Sequence, residues 1–328
     1  MTLNNKTILI TGGTGSFGNH FTQFVLAHFQ PKKIIIFSRD EFKQYEMAKK
    51  FKQDGRLRFF LGDVRDKERL GRAMDDVDVV IHAAALKQVP ALEYNPFEAV
   101  RTNIIGGYNV ATTACDHEVQ KVIALSTDKA ANPVNLYGAT KLCSDKVFVA
   151  SNNFGRGKTK ISVVRYGNVA GSRGSIVPLF QEQRESGTIT ITDERMTRFW
   201  ITLDEAVKFV MDNLERMVGG EIFIPKIPSV KVTDVAKALA PDCKTEIIGI
   251  RPGEKLHEVM VPMESAHDTI EFRNHFVIAP SFHDWSDASV YLKAERGQGK
   301  RCADGFSYAS DTNTEWLSVH DIRKIYAA

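Results

Sequence analysis

An apolar run, Thr7–Thr11, leads directly into Gly12-Gly13-Thr14-Gly15-Ser16-Phe17-Gly18 and then into a helical pattern. Glycines at 12, 15 and 18 permit a tight turn, close approach of the backbone to a ligand, and close packing of helix on strand. The helix that follows presents its first unpaired N–H groups to an anion. Alone, G-x-x-G-x-x-G is a weak signal. At the first strand–helix junction of a βαβ unit it predicts a dinucleotide pyrophosphate held by Gly12, Thr14, Gly15, Ser16, Phe17 and Gly18.

The next 150 residues repeat the same alternation. Strands are expected at Lys33–Ser38, Arg58–Leu61, Asp78–His82, Lys121–Ser126 and Ile161–Tyr166. Several are continuous apolar runs, as parallel strands covered on both faces require. Helices are expected at Asn19–Phe29, Phe97–Asp116 and Tyr137–Asn152. The fold class is therefore α/β, a doubly wound parallel sheet with a smaller α/β domain.

After Gly167 the rhythm breaks into a loop-like stretch, two near-alternating segments (Gly187–Thr192 and Met196–Thr202), a helix (Asp204–Met217) and a strand (Glu221–Pro225). Beyond these the chain offers a short helix, Val232–Leu239, and little periodicity. The expected partition is a dinucleotide domain of 1–170 with a return segment near 203–226. Residues 171–202 and 227–328 are expected to form the second domain.

Composition narrows the function by exclusion. The 43 basic and 40 acidic residues leave a net charge of +3 with no basic run, which argues against nucleic acid as a partner. No apolar stretch reaches the roughly 20 residues of a membrane span. Cys115, Cys143, Cys243 and Cys302 lack C-x-x-C spacing, so neither a metal site nor a disulfide framework is expected. The polar N-terminus has no signal-peptide pattern, and the expected compartment is the cytoplasm.

The end of the second strand selects the cofactor. An NAD site usually has an acidic residue there for the ribose 2′-hydroxyl. This chain reads Ser38-Arg39-Asp40, and Arg39 can pair with a 2′-phosphate through a charge-assisted fork, so NADP is expected. The alternative is an arginine stacked on adenine, with Asp40 serving NAD. Asp63 and Val64 end the third strand near the adenine. Ala83-Ala84-Ala85 ends the fourth, leaving room for the cofactor.

The fifth strand delivers Ser126-Thr127-Asp128-Lys129 to the carboxyl edge of the sheet, where ligands bind in such folds. Downstream lies Tyr137-Gly138-Ala139-Thr140-Lys141, a Y-x-x-x-K. At i, i+4 the two side chains share a helix face, so the Lys141 ammonium is expected to lower the phenol's pKa. A tyrosine so tuned takes a proton from a substrate hydroxyl while the cofactor accepts a hydride.

These residues resemble extended short-chain dehydrogenases over nearly the whole chain. Closer still, the chain resembles inverting UDP-N-acetylglucosamine 4,6-dehydratases. That resemblance rests on Thr11–Gly18, Ser38–Glu41, His82–Pro90, Ser126–Lys129, Arg165–Val169 and Arg251–Lys255. Retaining dehydratases carry Thr-Asp-Glu where this chain has Thr127-Asp128-Lys129. The resemblance implies Asp128 as the acid that protonates the leaving C6 hydroxyl and Lys129 as the C5 base. A partly desolvated lysine near other cations would be neutral enough for that task.

Lys87, shared between cofactor and substrate, is placed against the sugar by the resemblance, and Asn168 against the diphosphate-sugar. Arg173, Arg198 and Arg251 are spread over the second domain, where a cleft would gather them around a diphosphate. Each has the alternative of being a surface arginine. His82 and His257 are expected to be structural. The resemblance implies a homo-oligomer acting on a UDP-sugar in pseudaminic acid synthesis. The competing readings are a dehydratase/5-epimerase or 4-epimerase of the same substrate class, and a non-catalytic NADP-binding sensor.

Overall fold

The apolar runs become parallel strands because each is long enough to cross the core. All are covered on both faces except the run at Leu57–Leu61, which stands at the sheet edge with Arg58 and Leu61 exposed. They are β1 (Thr7–Thr11), β2 (Lys33–Ser38), β3 (Leu57–Leu61), β4 (Val79–His82), β5 (Lys121–Thr127) and β6 (Lys160–Tyr166). They stand in the order β3-β2-β1-β4-β5-β6. The computed structural model describes residues 2–172, 175–280, 290–292 and 298–327. Ile34, Ile36 and Val79 to Ile81 are fully buried, as two-sided covering demands. Strand order reverses between β1 and β4, and the crevice at that switch point is where such sheets bind ligands.

Crossovers are made by α1 (Ser16–His28), α2 (Glu41–Lys50), α3 (Lys67–Met74), α4 (Val89–Tyr94), α5 (Pro96–Ala99), α6 (Gly106–Asp116) and α7 (Leu136–Ala150). Asp40 and Asp66 cap α2 and α3 through bonds from the Lys43 and Arg69 N–H groups. The sequence reading does not anticipate either helix. The polar α2 buries only Gln44 and Met47, too thin a stripe to register as periodicity. The single helix expected over 97–116 is interrupted by a π-helical turn, Val100–Ile105. That turn directs Asn103 to the Leu86 carbonyl (2.9 Å) and the Thr140 hydroxyl (3.0 Å), tying the loop after β4 to α7.

The rest of the chain contributes β7 (Asn168–Val169), α8 (Ile176–Arg184), β8 (Thr188–Ile191), β9 (Thr197–Ile201), α9 (Leu203–Arg216) and β10 (Ile222–Pro225). It continues with β11 (Ser229–Lys231), α10 (Val232–Leu239), β12 (Lys244–Ile247), β13 (Val259–Val261), β14 (Thr269–Glu271), β15 (His275–Ile278), β16 (Lys300–Arg301), β17 (Tyr308–Ala309) and α11 (Val319–Ala327). A capping box between Thr202 and Glu205 starts α9.

β10 joins β6 in parallel, and β15, β14 and β16 then extend the sheet antiparallel, to ten strands among the described residues. A second core of Val177, Phe180, Ile189, Ile191, Trp200 and Val235 forms beside it. Hydrogen bonding thus runs across the expected partition, since β14–β16 lie in 227–328 yet belong to the large sheet. Strands of two or three residues, such as β7, β11, β14 and β16, carry too little pattern to be assigned from sequence. No helix among the described residues is long and apolar enough to cross a membrane.

Candidate active site

A cavity of about 1000 Å³ follows the carboxyl ends of the strands on both sides of the switch point. One end is the glycine loop, where Gly12, Thr14, Gly15, Ser16, Phe17 and Gly18 all form the wall. Gly12 has φ +64°, and a Cβ there would lie 2.8 Å from the Ala84 backbone nitrogen. Only glycine lets the loop pass that close. Helix α1 starts at Gly15 with no side-chain cap and no acidic residue in its first turn, so its N–H groups and dipole suit an anion. The cradle therefore fits a dinucleotide pyrophosphate.

Ser38, Arg39, Asp40, Asp63, Val64 and Ala83 line the same end, together with Lys43. The Asp40 carboxylate accepts the Lys43 N–H (2.9 Å) and pairs with the Lys43 ammonium (2.8 Å). Arg39 is half exposed, its guanidinium 3.5 Å from the Asp63 carboxylate, which Arg65 also holds at 2.7 Å. Two cations thus flank this end, and the nearer carboxylates are engaged with protein groups.

The other end is charged and buried. Beyond β5 the chain makes a single 3-10 turn, Asp128–Ala130, that presents Asp128 and Lys129. The Thr127 hydroxyl donates to the Asp128 carboxylate at 2.8 Å. Helix α7 begins against this turn, capped by Asn135, whose side-chain oxygen accepts the Gly138 N–H at 2.8 Å. A Cβ at Gly138 would collide with the Lys129 carbonyl oxygen. The glycine inside Y-G-x-x-K is what brings Tyr137 within hydrogen-bond reach of Thr127.

The Lys129 ammonium lies 3.2 Å from Asp128 and 3.0 Å from Glu258, and both carboxylates are almost wholly buried. Burial pushes the Asp128 carboxyl up, with Glu258 adding to the rise and Lys129 opposing it. Burial acts the same way on Glu258, but Lys129 and Arg198 outweigh it and hold that carboxyl below its usual range. Burial alone would lower Lys129. Asp128 and Glu258 overcome it and raise the ammonium above its ordinary value.

Two electrostatic expectations change as a result. Lys129 was expected to be neutralised by cations, and in the structure two carboxylates keep it charged. The Tyr137 phenol is pushed up to about 12 by burial, and the cation that opposes this is Lys129. The Lys141 ammonium instead donates to the Leu125 carbonyl at 2.8 Å. For Lys129 the adjacent Asp128 and the remote Glu258 act together. For Tyr137 the effective cation lies eight residues before it on the preceding turn, not one helical turn after it.

Lys87 and Asn168 are on the cavity wall. The Asn168 side-chain oxygen is buried and makes no hydrogen bond among the described residues, as befits an acceptor facing a ligand. Arg198 is interior, donating to the Thr197 and Leu256 carbonyls, 3.8 Å from Glu258 and off the wall. Arg251 is exposed and also off the wall. Arg173 lies outside the described residues. His82 is buried against Phe148 and bonded to Thr11, and burial drives it down to about 3. His257 bonds Thr197. No metal-binding cluster is present among the described residues.

Sequence reasoning missed Lys43, Thr102, Tyr166 and Glu258. Lys43 was within reach, three residues past Asp40 on a helix face. Glu258 gave no signal beyond lying just past the Arg251–Lys255 motif.

A glycine cradle at one end of a switch-point cavity, and Tyr137 and Lys141 on a helix at the other, define the extended short-chain dehydrogenase/reductase class. The chain belongs to the family described as "Polysaccharide biosynthesis protein", whose model matches residues 8–280. It is 57% identical over 328 residues to "UDP-N-acetylglucosamine 4,6-dehydratase (inverting)" of Campylobacter jejuni, covering 98% of this chain and 97% of that one. It is 40% identical over 334 residues to "UDP-glucose 4-epimerase" of Rickettsia conorii, covering 98% and 95%. Among solved structures it is similar to Pen from Bacillus thuringiensis, with TM-score 0.88, 35% identity, and coverage of 100% of this chain and 98% of that one.

Proposed function

We propose that this chain is a UDP-N-acetylglucosamine 4,6-dehydratase that inverts C5. Its product would be UDP-2-acetamido-2,6-dideoxy-β-L-arabino-hex-4-ulose. The observation that carries this reading is the buried Asp128–Lys129 pair beside Tyr137, at the far end of a dinucleotide cavity. The likeness to the C. jejuni dehydratase supports it over the epimerase reading, since an epimerase needs no acid–base pair of this kind.

The cofactor is a nicotinamide dinucleotide, and we take it to be NADP because Arg39 and Lys43 flank the end where a 2′-phosphate would lie. When bound, it supplies a two-electron acceptor for C4 oxidation and the donor for reduction at C6. In our reading Tyr137 takes the C4 hydroxyl proton. The 4-keto group acidifies C5–H. The Lys129 ammonium passes its proton to Asp128, 3.2 Å away, and Lys129 as the amine then removes the C5 proton. Asp128 gives its proton to the C6 hydroxyl, which leaves as water, and once C6 is reduced C5 takes a solvent-derived proton on the opposite face. Thr127 orients Asp128, Lys141 holds the cofactor's ribose side, and Lys87 and Asn168 contact the sugar and its diphosphate. Arg173, Arg198 and Arg251 are assigned to the same diphosphate region on sequence grounds.

We further place the reaction in the cytoplasm, a reading supported by four unpaired cysteines, and at the entry to pseudaminic acid synthesis. The active form is taken as a homo-oligomer. Residues 1–170 with 203–226 are taken as the cofactor domain and 171–202 with 227–328 as the substrate domain, although β14–β16 of the latter are hydrogen-bonded into the large sheet of the former. The test is NMR of the product formed from UDP-N-acetylglucosamine in deuterated water. The expected result is an L-arabino 4-keto-6-deoxy sugar carrying deuterium at C5 from the earliest time points. A D-xylo product would overturn the inversion, and a 4-epimer without water loss would overturn dehydration.

A further inference from the structure

Glu258 comes from a part of the chain remote from β5, yet its carboxylate is 3.0 Å from the Lys129 ammonium and only 2% exposed. Its backbone is held on both sides. The Glu258 N–H donates to the Ser310 hydroxyl (2.9 Å), and the Glu258 carbonyl accepts the Ser310 N–H (2.8 Å). Ser310 is bonded in turn to the Thr197 hydroxyl at 2.7 Å. Two residues on, the Met260 carbonyl accepts from buried Arg165 at 3.0 Å. A carboxylate so anchored has little freedom to follow a moving lysine, so the lysine is held to it.

A second observation concerns what is left unpaired. The other oxygens of Glu258 and Asp128 are both buried and make no hydrogen bond among the described residues. A buried acceptor left bare is destabilising, and in native proteins each such atom calls for an explanation, a functional role among them. We propose that Glu258 is a positioning residue of the acid–base group: its buried carboxylate, with that of Asp128, clamps the Lys129 ammonium and sets the electrostatics of the pair. The inference rests on the roles proposed above for Asp128 and Lys129.

The surrounding charges decide which carboxylate keeps a proton. Lys129, Arg198 and Lys255 face Glu258, while Asp128 faces Lys129, Glu258 and the Thr127 hydroxyl. Tyr137 and Lys87 approach Lys129, and the Arg165–Asp145 pair stands behind. Glu258 is therefore the anion, and its charge favours both the protonated Asp128 and the protonated Lys129. Dehydration needs Asp128 with its proton and Lys129 without one, so its pH profile is a bell bounded by these two groups. Removing the Glu258 charge lowers both limits together, and the bell moves to lower pH.

The experiment compares Glu258→Gln and Glu258→Asp with the unmodified enzyme, in turnover and in NMR titration of carboxyl-labelled aspartate assigned with Asp128→Asn. For Glu258→Gln, the expected result is a kcat lower by about 10²-fold, the scale of a misplaced catalytic group, with KM within about twofold. Its pH optimum should be displaced downwards, and Asp128 should titrate at lower pH without substrate. Glu258→Asp keeps the charge but shortens the reach, so the optimum should stay in place while kcat falls about tenfold. An unmoved optimum and an unmoved Asp128 titration in Glu258→Gln would overturn the proposal. If that variant does not fold, normal kcat in Glu258→Asp overturns it instead. Failure of the unmodified enzyme to release water refutes the dehydratase reading, while the Asp128 titration still decides the clamp.

Discussion

The two ends of one cavity are built in opposite ways. The phosphate end comes from a single strand–loop–helix of adjacent residues, Gly12 to Gly18, shaped by backbone. The acid–base end draws Asp128 and Lys129 from the turn after β5, Tyr137 from α7, and Glu258 from a segment some 130 residues beyond Asp128, held together by buried charge. A site made of backbone tolerates little change in shape but little depends on distant partners. A site made of buried charge depends on every member, because removing one leaves another uncompensated.

That contrast predicts effects of descending size. Tyr137→Phe at the charged end should keep cofactor and substrate binding yet oxidise C4 more slowly by about 10²-fold or more, the scale of a lost general base. Stopped-flow absorbance of the reduced cofactor would read it. Near-normal oxidation would mean that another group takes the hydroxyl proton and that the charged end is less interdependent than described.

At the phosphate end, Arg39→Asp should alter selection and leave the chemistry alone. Losing a charge-assisted fork costs about 1.5–3 kcal/mol, so the NADP-to-NAD affinity ratio should fall by about tenfold or more. Paired titrations of the two cofactors by calorimetry decide this. Equal affinities in the unmodified protein would remove the argument from Arg39 and leave Asp40 as the ribose anchor.

The smallest effect is expected between the two ends. Of the residues assigned to the diphosphate, Arg251 is exposed and off the cavity wall, so any contact it makes is solvent-screened and Arg251→Ala should raise KM for the UDP-sugar by less than about threefold. Steady-state kinetics suffices. A tenfold rise in KM would show that the turn carrying Arg251 closes over the diphosphate and that the cavity wall extends further than drawn.

Much of the fold was legible because its signals are local. The six parallel strands lie within a residue or so of the apolar runs. Five are buried on both faces and so read as largely apolar, while edge strand β3 is marked by Phe59 and Phe60 between exposed Arg58 and Leu61. The strands of the last hundred residues were not legible. β14, β15 and β16 are three, four and two residues long, and only pairing in the large sheet makes them strands at all. Helix α2 was hidden for a related reason, its contact with the core being two residues wide.

The site divides along the same line. By itself the sequence determined the phosphate cradle, the positions of Asp128, Lys129, Tyr137 and Lys141, and the side of the sheet on which they meet. Each of these follows from glycine spacing, helical periodicity or the end of a strand, all of which act over a few residues. Only the tertiary structure decided the charge of Lys129, which cation faces the phenol, and the presence of Glu258. Electrostatic interaction in a buried site depends on distance through space and on desolvation, and neither is carried by separation along the chain.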